Sequence, residues 1–228
     1  MKLLIPLGSL LLVAAIAWSA ADLRPADFQH EERERRLANR IEFPDVKGDA
    51  TAMISCFSQI SKGGKMKETG CFTKDNFDAA FAAAIMKAAK KSSMNPAIID
   101  GDKRTIYLQF RVEFTAKGED RDIKLYLNPG YTENVDAYGP DHVAAQRVIG
   151  KEPWQGVCPQ RAYFLVAARA FVGEDGKPEN PSLERVSGIM PTADCQNAIR
   201  ETILQSLFTP AMADGYPVPS AFIETFSN

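Results

Sequence analysis

The chain has 228 residues, with 27 Lys and Arg against 29 Asp and Glu, a net charge of −2, 45% hydrophobic residues and only two histidines. Charges this evenly balanced argue against a nucleic-acid-binding role, which needs a positive excess to neutralise phosphates. The two histidines, His30 and His142, and the lack of any Cys-x-x-Cys pair leave little from which to build a metal site, so neither metal nor cofactor is expected.

Met1-Lys2 followed by the uncharged run Leu3 to Ala17 has the shape of a secretory leader, and small residues at Ser19 and Ala21 place cleavage before Asp22. The alternative is an uncleaved anchor, because residues 3–21 are nearly long enough to cross a bilayer. No later segment has that length, so export to the periplasm is expected, with inner-membrane anchoring if the leader is retained. Four cysteines in an exported chain, Cys56, Cys71, Cys158 and Cys195, read as two disulfides with three connectivities open.

Residues 22–49 read as a charged helical arm. Glu31 with Arg35 and Glu32 with Arg36 are spaced to meet on a helix, and Leu37 with Ile41 gives only a thin apolar stripe, so a solvated arm is expected.

Ala52 to Ile60 and Met66 to Phe72 read as a hairpin around Gly63-Gly64. If those glycines are the two central turn residues, Lys62 faces Lys65 and Cys56 falls opposite Cys71, within the span a disulfide accepts. Asp75 to Ser93 repeats Phe77, Phe81, Ile85 and Ala88 or Ala89 at helical spacing, and Pro96 stops it. Thr105 to Thr115 then alternates, with Ile106, Leu108, Phe110, Val112 and Phe114 on a buried face and Tyr107, Gln109, Arg111 and Glu113 on a wet one.

Residues 118–159 read as a structured connector, with turns at Asn128-Pro129-Gly130 and Tyr138-Gly139-Pro140 and a short helix over Asp141 to Ile149. Its aromatics Tyr131, Tyr138 and Trp154 are expected to pack against one or both flanking units, and form the fallback partner surface.

The order then recurs. Tyr163 to Val172, a Glu174-Asp175-Gly176-Lys177 turn and Leu183 to Ser187 form a second hairpin, and Ile199, Ile203 and Leu207 mark a helix capped at Thr192 or Asp194. Pro210 ends it and Val218 to Phe226 is the last strand. Pro96-Ala97-Ile98-Ile99-Asp100-Gly101 and Pro210-Ala211-Met212-Ala213-Asp214-Gly215 sit at the same place in each half, which points to a duplicated unit. The expected fold is α+β: two tandem small units, residues 50–117 and 160–228, each strand-strand-helix-strand with the helix on a short antiparallel sheet. Cys158 and Cys195 pair by elimination.

The second unit resembles the C-terminal domain of the TonB energy transducers. The motifs that carry the likeness are Asp175-Gly176-Lys177, Ser187-Gly188, Phe208-Thr209-Pro210-Ala211 and Asp214-Gly215-Tyr216-Pro217-Val218, with Pro210, Ala211, Gly215 and Pro217 as motif residues. Gly64-Lys65, Met94-Asn95-Pro96-Ala97 and Asp100-Gly101 repeat it more weakly. The family often has a Trp where this chain has Ser206 and Ser92, and a full transducer carries a His-bearing membrane helix and a long Pro-rich spacer that this chain lacks.

The resemblance implies a periplasmic module that accepts an extended peptide by strand addition at its edge. Val218, Ser220, Ala221, Phe222 and Ile223 of the last strand are the expected docking edge, being short of the charges that usually blunt one. Burial of that strand between the units or in a homodimer is the alternative. The expected partner is an envelope protein, such as a peptide of an outer-membrane protein, with the setting outer-membrane transport. An anchored transducer is the second reading. A periplasmic hydrolase is the enzyme-class alternative, but no nucleophile-and-base pattern supports it and no catalytic residue is assigned.

Overall fold

The computed structural model describes residues 23–159 and 162–228, so the leader lies outside the described residues. After a short strand β1 (Leu23–Arg24) the charged segment forms only two 3-10 turns, Arg33–Arg35 and Leu37–Asn39. It is not a solvated arm. Ala26 and Leu37 are fully buried, Phe28 packs edge-on against Phe110 at 5.7 Å, and the Gln146 carboxamide exchanges two hydrogen bonds with the Ala26 backbone. The apolar residues are too irregularly spaced for a helix stripe, yet each finds the first core singly.

The first hairpin is β2 (Ala50–Ile60) and β3 (Met66–Cys71). Cys56 faces Cys71 and the two are disulfide-bonded, but by a different route from the two-residue turn. Next to the turn Ile60 faces Met66, one residue off the expected register, and a bulge between Gln59 and Phe57 restores it. Glu68, at φ 48°, supplies the extra residue, so the two shifts cancel before the cysteines.

α1 (Asn76–Ala89) starts at Asp75, whose carboxylate accepts from the Asp78 N–H at 3.0 Å. It buries Phe81, Ala82, Ile85, Ala88 and Ala89, while Phe77 stays half exposed. β4 (Ala97–Ile99) and β5 (Asp102–Arg104) then make a tight hairpin around Asp100 and Gly101, both at positive φ, as a primed two-residue turn requires. β6 (Ile106–Lys117) completes the sheet in the order β3-β2-β6. Its predicted core face, Ile106 to Phe114, is fully buried.

Both edges of β6 are paired. β7 (Asp120–Tyr126) lies along its C-terminal part, from Arg111 to Lys117. Following α2 (Thr132–Tyr138), β8 (Gln146–Val148) lies against Ile106 and Tyr107. The helix expected over Asp141 to Ile149 is therefore absent: those residues are extended because an open sheet edge is within reach. A single turn, α3 (Trp154–Val157), precedes the second half.

There β9 (Phe164–Val172) pairs with β10 (Pro178–Gly188), and α4 (Ala193–Gln205) is capped by the Thr192 hydroxyl. β11 (Phe208–Thr209) joins the first sheet beside β8. β12 (Ala211–Ala213) and β13 (Tyr216–Val218) form a hairpin around Asp214-Gly215, again both at positive φ, and β14 (Ser220–Ser227) closes the order β10-β9-β14. Pro219 separates β13 from β14, so the expected strand Val218 to Phe226 is two elements. The fold is thus α+β with antiparallel sheets. A Cys158–Cys195 disulfide ties α3 to the first turn of α4. Among the described residues no helix is long and apolar enough to cross a membrane.

Tyr107 and Gln109, expected on a wet face, are buried. Tyr107 belongs to the second core and meets Phe222 edge-on at 6.4 Å, because the second half covers the face of β6 that α1 leaves bare.

Candidate functional site

β14 pairs with β9 along its whole length, from Ser220 to Ser227. In such a strand alternate residues turn their N–H and C=O to opposite sides, and Ala221 and Ile223 turn theirs away from β9. Both outward groups of Ala221 and the outward carbonyl of Ile223 are occupied. The Asn134 carboxamide of α2 donates to the Ala221 carbonyl at 2.9 Å and accepts from the Ala221 N–H at 3.0 Å. The Tyr131 hydroxyl is shared between the Gln109 side-chain oxygen at 3.1 Å and the Ile223 carbonyl at 3.2 Å, and the Tyr138 hydroxyl donates to the Pro219 carbonyl at 2.7 Å. Burial pushes the Tyr131 hydroxyl up to about 12, so it stays protonated and able to donate.

The expected docking residues are accordingly distributed. Val218 lies in β13 opposite Ala211, and the Ser220 and Phe222 side chains are buried. Ala221 and Ile223 present the edge, but under α2. Two of the three connector aromatics cap that edge. The third, Trp154, packs edge-on against Phe226 at 5.4 Å.

Beyond Ile223 the edge runs out from under α2. Thr225 and Ser227 share the outward direction and wall a cleft of about 270 Å³ with Phe57, Tyr107, Trp154 and Phe226. The base of the cleft holds a buried ionic network that the sequence pattern did not reveal. Arg147 of β8 grips Glu224 of β14 through two nitrogens at 2.6 and 2.7 Å. It also reaches Glu152 at 3.0 Å and the Ser206 hydroxyl at 3.3 Å, and Glu152 accepts from the Trp154 indole at 3.0 Å.

Two carboxylates thus share one guanidinium in a site nearly closed to water. Burial raises the Glu224 carboxyl against the pull of Arg147, and the nearby Glu152 adds to the rise. Burial alone would lower the Arg147 guanidinium, but Glu224 and then Glu152 outweigh it and move the group up, so it keeps its charge. Burial, then Glu224, raises the Tyr107 hydroxyl.

His142 is buried, its Nδ1 2.7 Å from the Gly139 carbonyl, and burial lowers its pKa; it is no surface residue. His30 accepts from the Glu32 N–H at 3.2 Å in the N-terminal segment, but the first 3-10 turn begins after Glu32 and has no side-chain cap. Among the described residues no three His, Cys, Asp or Glu side chains cluster as a metal site.

The motif residues meet one another. Gly176, at φ 74°, sits where a Cβ would lie 2.5 Å from the Phe208 carbonyl oxygen, so the Asp-Gly turn touches the Phe-Thr-Pro-Ala run. Pro210 lies against the same turn. Ala211 faces Val218, and Pro217 faces Met212. In the first half Gly64, at φ 77°, stands in the same relation to Met94, with a Cβ 2.1 Å from its carbonyl oxygen, and Met94 precedes Pro96 as Phe208 precedes Pro210. No family model matches the chain, and no curated protein or solved structure matches it at a significant level.

Proposed function

We propose that this is an exported, non-catalytic recognition protein made of two tandem TonB C-terminal-like modules, which binds an extended segment of another envelope protein at the outer edge of β14. The observation that carries the reading is the run Thr225–Ser227, an outward strand edge opening into an aromatic-walled cleft. Main-chain bonding along such an edge supplies affinity, and side-chain pockets beside it supply selectivity. The shared strand order and the matching Gly64 and Gly176 contacts support the duplication. Two disulfides suit an oxidising compartment such as the periplasm. Outer-membrane transport, the setting implied by the TonB likeness, rests on the motifs alone.

Thr225→Pro tests the edge. Because the Thr225 N–H points away from β9, proline there leaves the ladder intact while removing a donor from the cleft. A photocrosslinker placed at Gln155, on the cleft wall, should capture a partner in the intact envelope, and Thr225→Pro should abolish capture while the circular dichroism spectrum is unchanged. Capture that persists in the folded variant would sink strand addition at this position.

A further inference from the structure

α2 does with side chains what a strand does with its backbone. The Asn134 carboxamide offers one donor and one acceptor to Ala221, the same exchange that a facing residue makes in a hydrogen-bonded antiparallel pair. Tyr138 and Tyr131 fill the carbonyls two residues to either side, at Pro219 and Ile223. The outward carbonyls of three successive positions, and the Ala221 N–H, thus find partners without a neighbouring strand.

The hold is thin. α2 has seven residues, of which only Asn134 is buried. It lies between Pro129-Gly130 and Gly139-Pro140, with both glycines at positive φ. An open depression of about 570 Å³ runs between its first turn and Arg169 and Ile223, bridged by an exposed Glu133–Arg169 pair at 2.9 Å. On β6, by contrast, the corresponding outer edge carries true strands, β7 and β8.

We propose that α2 is a displaceable cap on β14, and that the edge beneath it, Pro219–Ile223, receives an extended polypeptide segment bearing an acidic side chain. The segment's backbone takes over the Asn134 bonds to Ala221. Its carboxylate replaces Glu133 at Arg169, which would otherwise lose its partner when α2 leaves. This rests on the reading of β14 as a recognition edge and extends the site from Thr225–Ser227 to the whole strand.

Two measurements on the full chain decide it. Without any ligand, the Ala221 amide should exchange with deuterium about 100-fold faster than the Phe222 amide, because the first is released by local opening of α2 and the second only by opening of the ladder with β9. Equal exchange would make α2 a fixed part of the fold and overturn the proposal. The second uses a synthetic peptide of Asp120–Tyr126, the segment this chain adds to β6, which contains two aspartates. It should bind Asn134→Ala about tenfold tighter than the wild type, the effect of losing roughly 1.4 kcal/mol of cap bonding, and should slow exchange at Ala221. Tyr138→Phe, which removes one hydroxyl, is the milder variant should Asn134→Ala fail to fold, and should shift affinity the same way. No binding to any form, or affinity indifferent to the cap, overturns the proposal. Slow Ala221 exchange together with loss of crosslinking in Thr225→Pro would leave the cleft reading standing and remove only the cap.

Discussion

β6 and β14 hold the same place in their halves, each the last strand of a sheet that runs return strand, first strand, last strand, yet their outer edges are closed by different means. β6 is covered by two strands of the connector at Ile106–Tyr107 and at Arg111–Lys117, so most of its outer backbone is spent within the fold. β14 is covered over part of its length by an asparagine and two tyrosines and opens at its end into a cleft. An edge closed by a ladder belongs to the core. One closed by a few side-chain bonds keeps a route to another partner, and that contrast is the ground for proposing recognition at the second half.

The two strands are also tied together, through Arg147 on the strand added to β6 and Glu224 on β14, and cutting that tie should have the largest effect. Arg147→Ala leaves two buried carboxylates without a counter-charge and should cost about 3–5 kcal/mol by denaturant unfolding. A loss under about 1 kcal/mol would mean that water reaches the pair and that the halves are held by apolar contact alone. Next come the disulfides. Serine at both Cys158 and Cys195 should cost about 4 kcal/mol, and at both Cys56 and Cys71 about 3 kcal/mol, from sequence separations of 37 and 15. The reverse order would show that the hairpin cross-link does more than restrict the unfolded chain.

A smaller change sharpens the contrast between the two edges. Asn134→Ala leaves the outward groups of Ala221 without their side-chain partner and should destabilise by about 1–3 kcal/mol. A larger loss would place α2 among the structural elements. The smallest effect is on pH dependence. Because Glu224 titrates above the ordinary carboxylate value of 4.5, the folded protein holds that proton more tightly than the unfolded chain. Its contribution is complete below the unfolded value and is lost as pH rises through the folded one. The wild type should therefore lose melting temperature relative to Glu224→Gln as pH rises above the ordinary value of 4.5. A relative gain over that range would mean that the attraction of Arg147 outweighs burial.

Where side chains alternate or recur with a clear period, the sequence carried the structure: the core face of β6, the body of α1, Ile199 and Ile203 of α4, and the Cys56–Cys71 pair; Leu207, expected on the same helix face, lies past the end of α4 and is exposed. The hairpin shows how a pairing is reached by a different path, since a longer turn and a bulge at Glu68 offset each other. What was not legible lacks such a period. α2 is anchored by a buried amide rather than an apolar stripe, and β8 has only three residues. Alternation in β6 marked the face that α1 covers but carried no sign that a second half would cover Tyr107 and Gln109. Arg147, Glu152 and Glu224 lie up to 77 residues apart, and only the fold brings them together.

The two glycine contacts have a consequence for where the chain tolerates change in length. Gly64 and Gly176 each press the tip of a hairpin against the residue two before a proline, with backbone too close for any side chain between them. Hairpin tip and helix exit are thereby held at a set separation, as by a gauge block. Extra residues between Cys71 and Asp75 can bulge outward without disturbing it, whereas one more residue within Ser61–Lys65 or Gly173–Lys177 moves the tip itself and releases two elements at once. Length variation of this architecture should therefore collect ahead of the helices and avoid the first turn of each half.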